Sequence, residues 1–329
     1  MFDDGAHRDG QANDGVYGVE LPSQSDGTIV EFYLEASDGA AKSRTWPAPS
    51  IVDGLAEQVT NLLYIVDDSF EPYWTPGSQP IYYLIMTEAE RGRLAYIGSH
   101  SSDSGSNAQM NGTFITIDGV DMEVRYLVGI RNRGKGTRAS PPNNYRLNIP
   151  HDQPWKGVTA LNINSKYAFS QIMGSALWRM AGLPAADATA VQVRVNGENL
   201  ALNDPARMYG SYVALEVLNS DWADNHFPDD SAGNLYRCAD DQGPAELAYG
   251  GDNPNAYRRG YFKRTNESDD DWTDLINLTY TLNDDSISDS EFMEKVGRVI
   301  NLKQWMRYLA VDSLVGNLEG GFTTGRGDD

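Results

Sequence analysis

The sequence contains only one cysteine, Cys238, so no disulfide can form within the 329 residues. Such a chain fits either the cytoplasm or a bacterial extracellular protein that lacks disulfides. Histidine is also scarce: the four histidines are scattered, and no H-E-x-x-H pattern or cysteine partner accompanies them, which disfavours a zinc site. No G-x-S-x-G pattern supports a serine hydrolase, and no apolar run approaches the ~20 residues that span a bilayer.

Basic residues are few, with 26 Lys and Arg against 47 Asp and Glu, a net charge of -21 and a pI of about 4.5. This balance disfavours nucleic acids and anionic membranes as the main partners. Yet four cations lie between Arg131 and Arg138, around Gly134 and Gly136. Glycines let a backbone approach a ligand, and guanidinium groups match phosphate oxygens. The segment therefore predicts a phosphate-bearing ligand, with a solvated basic hairpin as the alternative.

The basic segment is not a P-loop, although Gly129 to Lys135 matches G-x-x-x-x-G-K. Gly136 stands where Ser or Thr would bind magnesium, and Pro141 and Pro142 prevent the helix that completes such an anion site. The pattern instead predicts a strand, a glycine-rich turn and a second strand at Tyr145–Ile149. A hairpin of this kind can lie over a nucleotide with its turn.

Residues 1–47 have apolar side chains at every second position, clearest from Tyr17 to Leu21 and from Val30 to Ala36. This period predicts half-buried strands, too few to close a sandwich alone. An Asp- and Gly-rich loop, Asp3 to Gly15, precedes them. Asx turns explain this loop better than calcium binding, because Asp14 stands where an EF-hand loop requires glycine.

Residues 48–79 are predicted to connect this module to a second domain of strands and helices at residues 80–329. The strongest helix signal runs from Lys166 to Ala181, and Asn164 or Ser165 is expected to cap it. The other predicted elements are strands at Ile81–Met86, Thr113–Ile117, Met122–Val128, Val191–Val195 and Gly210–Val217, capping boxes at Thr87–Glu90 and Ser288–Glu291, and helices at Asp271–Leu278 and Asn301–Val315.

Short motifs follow these elements in a distinctive order. They are Arg131–Gly134, Asn144–Leu147, Asn162–Asn164 before the long helix, Asn196–Glu198, Gly210–Glu216, Gly233–Arg237 and Asp271–Leu275. The ordered set resembles the CotH (spore coat protein H) kinase family, an atypical protein kinase family, from about residue 80 to the end. The preceding β segment resembles the immunoglobulin-like modules found beside such domains in large bacterial surface proteins.

The resemblance implies an α+β fold: an incomplete, two-lobed, atypical protein-kinase-like domain, preceded by a partial all-β sandwich module. The N-lobe would cover about residues 80–220, and residues 221–329 would begin the helical lobe. The implied activity is phosphoryl transfer from ATP, with Mg²⁺, to Ser or Thr of a secreted or surface protein, which places the chain outside a bacterial cell or on its surface. Both ends fall within loop or turn patterns, so we expect a fragment of a longer protein.

Four residues match positions that would hold the nucleotide. The resemblance implies that Arg131, Arg133 and Arg146 neutralise phosphates and that Glu216 lies where the lobes join, on the adenine side of the cleft. Ordinary roles remain open: ion pairs with carboxylates for Arg131 and Arg133, and a strand-end surface acid for Glu216.

Three acidic residues match the catalytic end of the family pattern. Glu319 stands where members usually carry the catalytic Asp, and Asp328 and Asp329 stand where an Asn pair contributes a metal ligand. A simple loop cap is the alternative role of Glu319. The extra methylene of Glu319 displaces its carboxylate by about an ångström, Arg146 replaces a frequent Lys, and the family's later W-D-x-D aspartates do not occur.

We therefore expect this chain, as a fragment, to lack kinase activity. The competing hypothesis is a non-catalytic kinase-like module in a large bacterial surface protein. An enzyme acting on polyanionic glycans is a third possibility, but no pair of carboxylates can be assigned to it.

Overall fold

The computed structural model of the protein describes residues 1–317 except 69–77, 101, 104, 120–121, 135, 205–206, 240–242 and 244. The strands in these ranges are β1 (Ile29–Phe32), β2 (Leu34–Ser37), β3 (Ser43–Trp46), β4 (Ser50–Val52), β5 (Leu55–Glu57), β6 (Leu62–Ile65), β7 (Ile81–Ile85), β8 (Met110–Ile117), β9 (Met122–Asn132), β10 (Tyr145–Asn148), β11 (Ala160–Asn164), β12 (Ala188–Val195), β13 (Glu198–Asn199), β14 (Tyr212–Glu216), β15 (Tyr236–Cys238) and β16 (Tyr261–Lys263). The α-helices are α1 (Glu88–Ile97), α2 (Ala168–Met180), α3 (Ser220–His226), α4 (Thr273–Leu282), α5 (Asp289–Val296) and α6 (Leu302–Val315). No helix in this part of the chain is long and apolar enough to cross a bilayer.

A sheet of eight strands closes on itself to form a barrel. The order is β13-β12-β14-β11-β10-β9-β8-β7, and β12 also pairs with β7, in parallel, with Gln192 opposite Ile81. The other neighbours are antiparallel, and the Asn196-Gly197 turn joins β12 to the short outer strand β13. Because successive side chains in a strand point to opposite faces, closure gives the barrel one inner and one outer set of side chains.

Apolar side chains fill the barrel. Tyr82, Phe114 and Trp155 meet edge to face in its interior, with ring centroids 5.4 to 5.7 Å apart. The indole nitrogen of Trp155 donates to Thr116 Oγ1 at 3.1 Å, so its polar end is satisfied. The inner set includes Ile130, Leu147 and Leu161. In each of these three strands, the residues directly before and after the inner residue therefore lie on the outer face.

Helices cover part of the barrel. The predicted capping box is confirmed at the start of α1, where Thr87 and Glu90 bond reciprocally. Helix α2 packs over β12 and β14 and contacts α6, where the rings of Trp178 and Tyr308 stack at 5.1 Å. The remaining C-terminal elements include the β15–β16 hairpin, which packs with α4 around Trp272.

The expected cap of α2 was wrong. The helix begins after Tyr167, which makes no side-chain cap bond. Asn164 instead donates to Gln171 Oε1 at 2.6 Å, and Ser165 donates to Pro142 O at 2.6 Å. Tertiary partners thus occupy both candidate caps. Likewise, Ser288 starts α5 without a cap bond, because its hydroxyl donates to the Glu291 side chain at 2.7 Å.

The N-terminal residues form small antiparallel pairs, β1 with β6, β2 with β3 and β4 with β5. The predicted strand at Tyr17–Leu21 was wrong: its apolar side chains are exposed, and only an isolated bridge, Phe2 to Gly18, lies there. Residues 48–79, predicted as a connector, contain β4 to β6, and β6 pairs with β1. The domain boundaries themselves stay a prediction.

The Asp-rich loop is held by backbone amides. The buried carboxylate of Asp9 accepts from the NH groups of Asp4, Gly5 and His7 at 2.5 to 3.1 Å. Asp14 accepts in the same way from Gln11 and Val16 at 2.9 Å. The Asp14–Val16 contact is an Asx turn, as expected for the loop, whereas Asp9 accepts from residues that precede it and instead ties the loop back on itself.

Candidate functional site

Strands β9 and β10 place two arginines opposite each other. Arg131 is the direct antiparallel partner of Arg146. Arg131 follows Ile130 and Arg146 precedes Leu147, and both of these interior residues are completely buried. Both guanidinium groups therefore lie on the outer face of the barrel. Arg133 follows at the next outward position, and its NH donates to Asn144 O at 3.0 Å to close the hairpin. The structure brings the three predicted arginines together.

Neutral amide oxygens hold these guanidinium groups. Arg131 donates to Asn107 Oδ1 at 3.0 Å and Arg146 donates to Asn148 Oδ1 at 3.1 Å. Arg133 donates to Asn164 Oδ1, and Gln171 of α2 fixes that amide by accepting from its Nδ2. Amides orient a guanidinium group without neutralising it.

No carboxylate of the described residues forms an ion pair with Arg131, Arg133 or Arg146 within 4 Å. Within this part of the chain, the expected alternative of ordinary ion pairs is not realised. This is notable in a chain with an excess of 21 acidic charges. Holding cations together, partly buried and without counter-charge, is costly, so the arrangement favours occupation by an anion.

The pKa values of the arginines reflect this environment. Burial lowers the pKa of Arg133 to about 10, and the charges of Arg131, Arg237 and Arg138 add to the effect. Burial also lowers the pKa of Arg146 to about 10, with further lowering by Arg131, Arg264 and Arg133, which the charge of Asp221 partly opposes. Arg237 of β15 and Arg264, which follows β16, therefore add to the positive electrostatic potential around these arginines.

We call Arg131, Arg133 and Arg146 the arginine cluster, and we call Arg237 and Arg264, whose charges act on it, the neighbouring arginines. Guanidinium groups bind phosphate oxygens through paired hydrogen bonds. Two of the groups stand on neighbouring strands, which fixes their spacing better than a loop would. The cluster is thus suited to a ligand with several phosphate oxygens.

Glu216 lies on the other face of the sheet. Its partner across the β11–β14 ladder is Leu161, an interior residue, whereas the outward Asn162 pairs with Arg146. Glu216 is 9% exposed, and His226 Nε2 lies 2.7 Å from its carboxylate. It is therefore not a surface acid, and a phosphate on the arginine cluster cannot touch it directly. Its contact with a nucleotide stays a prediction.

Comparison with known protein families shows to which family the chain belongs. A model of the family described as CotH kinase protein matches residues 130–324, more than half of the chain. The chain belongs to the CotH kinase protein family. The match begins in β9, so it contains Arg131, Arg133 and Arg146 as well as the neighbouring arginines, Arg237 and Arg264. Residues 1–45 match the second immunoglobulin-like domain of conditioned medium factor. A search of curated proteins found no match.

The catalytic and metal assignments of this CotH kinase domain are at the C-terminal end. Glu319, Asp328 and Asp329 lie outside the described residues. Their predicted roles stay predictions, and so does the two-lobed arrangement. The family itself and the immunoglobulin-like module are confirmed.

The sequence analysis did not identify the neighbouring arginines, Arg237 and Arg264, or the amides that hold the arginine cluster. Arg237 ends the Gly233–Arg237 motif, where the family pattern has Lys, so a signal for a cation was present. Arg264 and the outward amides Asn107 and Asn148 carry no such signal. Their role depends on strand register, which only the fold supplies.

One further group of titratable side chains lies beside Glu216. Ligand atoms of Asp187, Glu216 and His226 lie within 4.8 Å of one another, the one such group in the described ranges. Arg179 pairs with Asp187 at 2.5 Å, and the Asp187 NH donates to Glu216 at 3.1 Å. These contacts describe a hydrogen-bonded joint between β12, β14 and α3 rather than an open coordination site.

Proposed function

We propose that the arginine cluster binds the phosphates of ATP and that the chain provides the nucleotide-binding part of a CotH-type protein kinase. The observation that carries this proposal is the convergence of Arg131, Arg133 and Arg146 on one outer face without an acidic partner among the described residues. ATP is the phosphate donor of protein kinases, and the chain's family is named for kinase activity. The substrates would be Ser or Thr hydroxyl groups of secreted or surface proteins.

The roles divide along the chain. The arginines would neutralise the phosphates, whereas Glu319 would act near the acceptor hydroxyl and Asp328 and Asp329 would hold Mg²⁺. No described carboxylate forms an ion pair with Arg131, Arg133 or Arg146, so the metal assignment depends on Asp328 and Asp329. The immunoglobulin-like module at residues 1–45 supports a location outside a bacterial cell or on its surface.

A second candidate is a kinase-like module that binds without catalysis. It is favoured by the position of Glu216, which lies away from the arginine cluster and is hydrogen-bonded to its neighbours. It is also favoured by Glu319, because a carboxylate displaced by about an ångström can lower the rate ~100-fold. Both candidates share nucleotide or polyphosphate binding and differ only in turnover.

Isothermal titration with Mg-ATP tests the shared step. We expect saturable binding to the wild type and an affinity lower by about 10- to 100-fold in Arg133→Met, the range for loss of charge-assisted hydrogen bonds. Arg125→Met is the matched control, because Arg125 stands in the same strand but pairs with Glu123 at 2.9 Å. Equal affinities in all three proteins, or no binding, would refute the proposal. A phosphoryl-transfer assay on binding-competent protein then separates the two candidates.

A further inference from the structure

A small basic cavity lies between the glycine-rich turn and the start of α2. Its volume is about 220 Å³, and its lining residues are Gly136, Thr137, Ser140, Lys166, Tyr167 and Arg207. Cavities that bind small-molecule ligands usually measure about 300 to 1,000 Å³, so a nucleotide is too large for it. A single phosphate group with a few waters fits, since a water molecule takes about 30 Å³.

The side chain of Lys166 is the central feature of this cavity. Lys166 is only 5% exposed, yet its ammonium group donates just one hydrogen bond to the described part of the chain, to Pro141 O at 3.2 Å. An ammonium group has three donors. Burial lowers the pKa of Lys166, the nearby charge of Arg207 lowers it further, and Asp204 partly opposes them. Two cations thus face one carboxylate.

Uncharged donors complete the lining. Asn144 Nδ2 donates to Thr137 Oγ1 at 3.0 Å, which leaves the threonine hydroxyl proton available to an anion. Helix α2 has 13 residues and begins here without a side-chain cap, so the positive end of its dipole is not neutralised locally. Each of these groups favours an oxyanion.

We propose that this cavity is a binding site for one phosphate group, as inorganic phosphate or a phosphomonoester, separate from the arginine cluster. Lys166 and Arg207 provide the charge, and Thr137 and Ser140 provide hydroxyl groups. The charges acting on Lys166 come from Arg207 and Asp204, whereas those acting on Arg133 come from other arginines. The two sites therefore have different cations, and the cavity site does not depend on ATP binding.

Titration with inorganic phosphate tests the proposal, in the Arg133→Met background so that the arginine cluster contributes little. We expect saturable binding that Lys166→Met and Arg207→Met each weaken about tenfold or more. Arg207 is exposed, so its substitution leaves the fold intact even if the buried Lys166 change does not. Arg194→Met, which removes a cation that bonds Gln192 Oε1 on β12, is the charge control.

The same titration with O-phosphoserine identifies the source of the phosphate group. Binding of phosphoserine with the same variant pattern would assign a phosphomonoester, and a response to inorganic phosphate alone would assign the free anion. An affinity for both compounds that is unchanged in Arg207→Met, or the absence of saturable binding, would overturn the proposal. Mg-ATP binding lost in Arg133→Met but kept in Arg207→Met would confirm that the sites are separate.

Discussion

Replacing Arg133 with Met should stabilise the protein in the absence of ligand. A pKa lowered to about 10 means that the charged form of the Arg133 guanidinium group is less stable in the folded protein than in water. Relative to an ordinary arginine, this corresponds to a cost on the order of 3 kcal/mol. The substitution also removes the hydrogen bond to Asn164, worth about 1 kcal/mol. The expected net change is a free energy of unfolding higher by about 1 to 2 kcal/mol.

The pH dependence follows from the direction of the shift. Because the folded state binds the Arg133 proton less tightly than the unfolded state, the destabilisation is present at neutral pH. It declines only as the pH rises through about 10, the pKa in the folded state. The advantage of Arg133→Met should therefore be constant near neutrality.

Urea denaturation followed by tryptophan fluorescence measures this change. Arg125→Met is the control, because Arg125 donates to the Glu123 carboxylate and to the carbonyls of Gln153 and Pro154 at 2.9 to 3.1 Å. Its loss should lower the free energy of unfolding by about 1 to 3 kcal/mol. Mg-ATP at 100 times the wild-type Kd should stabilise the wild type by about 2.7 kcal/mol but a variant of 100-fold lower affinity by only about 0.4 kcal/mol, so the wild type should then be the more stable of the two. Destabilisation of Arg133→Met to the same extent as Arg125→Met would refute the idea of an uncompensated cation.

Three further predictions concern the barrel, the first helix and catalysis. Tyr212→Phe should raise the free energy of unfolding by about 1 kcal/mol in urea, because the buried hydroxyl has no hydrogen-bond partner among the described residues; a loss of stability would mean that the hydroxyl is satisfied. Thr87→Ala should lower it by about 1 kcal/mol whereas Thr87→Ser should not, because Thr87 caps α1; equal effects would exclude capping. If the wild type shows phosphoryl transfer above background and Glu319 acts near the acceptor hydroxyl, Glu319→Asp should increase the rate by up to ~100-fold in a radiolabel assay, with Glu319→Gln as the inactive control; identical rates above background in all three proteins would remove Glu319 from the reaction.

Local patterns predicted the basic hairpin well. The alternation along β9 places Arg131 and Arg133 on one side, and the turn residues between β9 and β10 predicted that the two strands are antiparallel neighbours. The prolines correctly excluded a helix after the glycine-rich turn, which is followed by β10. These features depend on residues close in sequence, and for that reason they can be read without the fold.

Features that depend on distant partners were not predictable. The barrel closes where Ile81 meets Gln192, a pairing that no local pattern specifies. The cap residues of α2 were misassigned because partners far along the chain take up their side chains. The alternation from Tyr17 to Leu21 predicted a strand, but a strand requires a neighbour as well as a period.

The candidate site, too, was predictable where it depends on local sequence and not where it depends on distant partners. The sequence identified the three cations of the cluster, but the charges of Arg237 and Arg264 act on it only because the packing of later elements brings these residues near. The contact of Glu216 with a nucleotide stays a prediction, but the sequence did not show which face of the sheet Glu216 occupies. The side of a sheet that a residue occupies depends on register, and here the partner of Glu216 is the interior Leu161.

A crystal structure of the chain with Mg²⁺ and a non-hydrolysable ATP analogue tests the central claim most directly. We expect phosphate oxygens within hydrogen-bond distance of Arg131, Arg133 and Arg146, on the outer face of β9 and β10. Phosphates bound elsewhere, with these three guanidinium groups still held only by their amide partners, would contradict it.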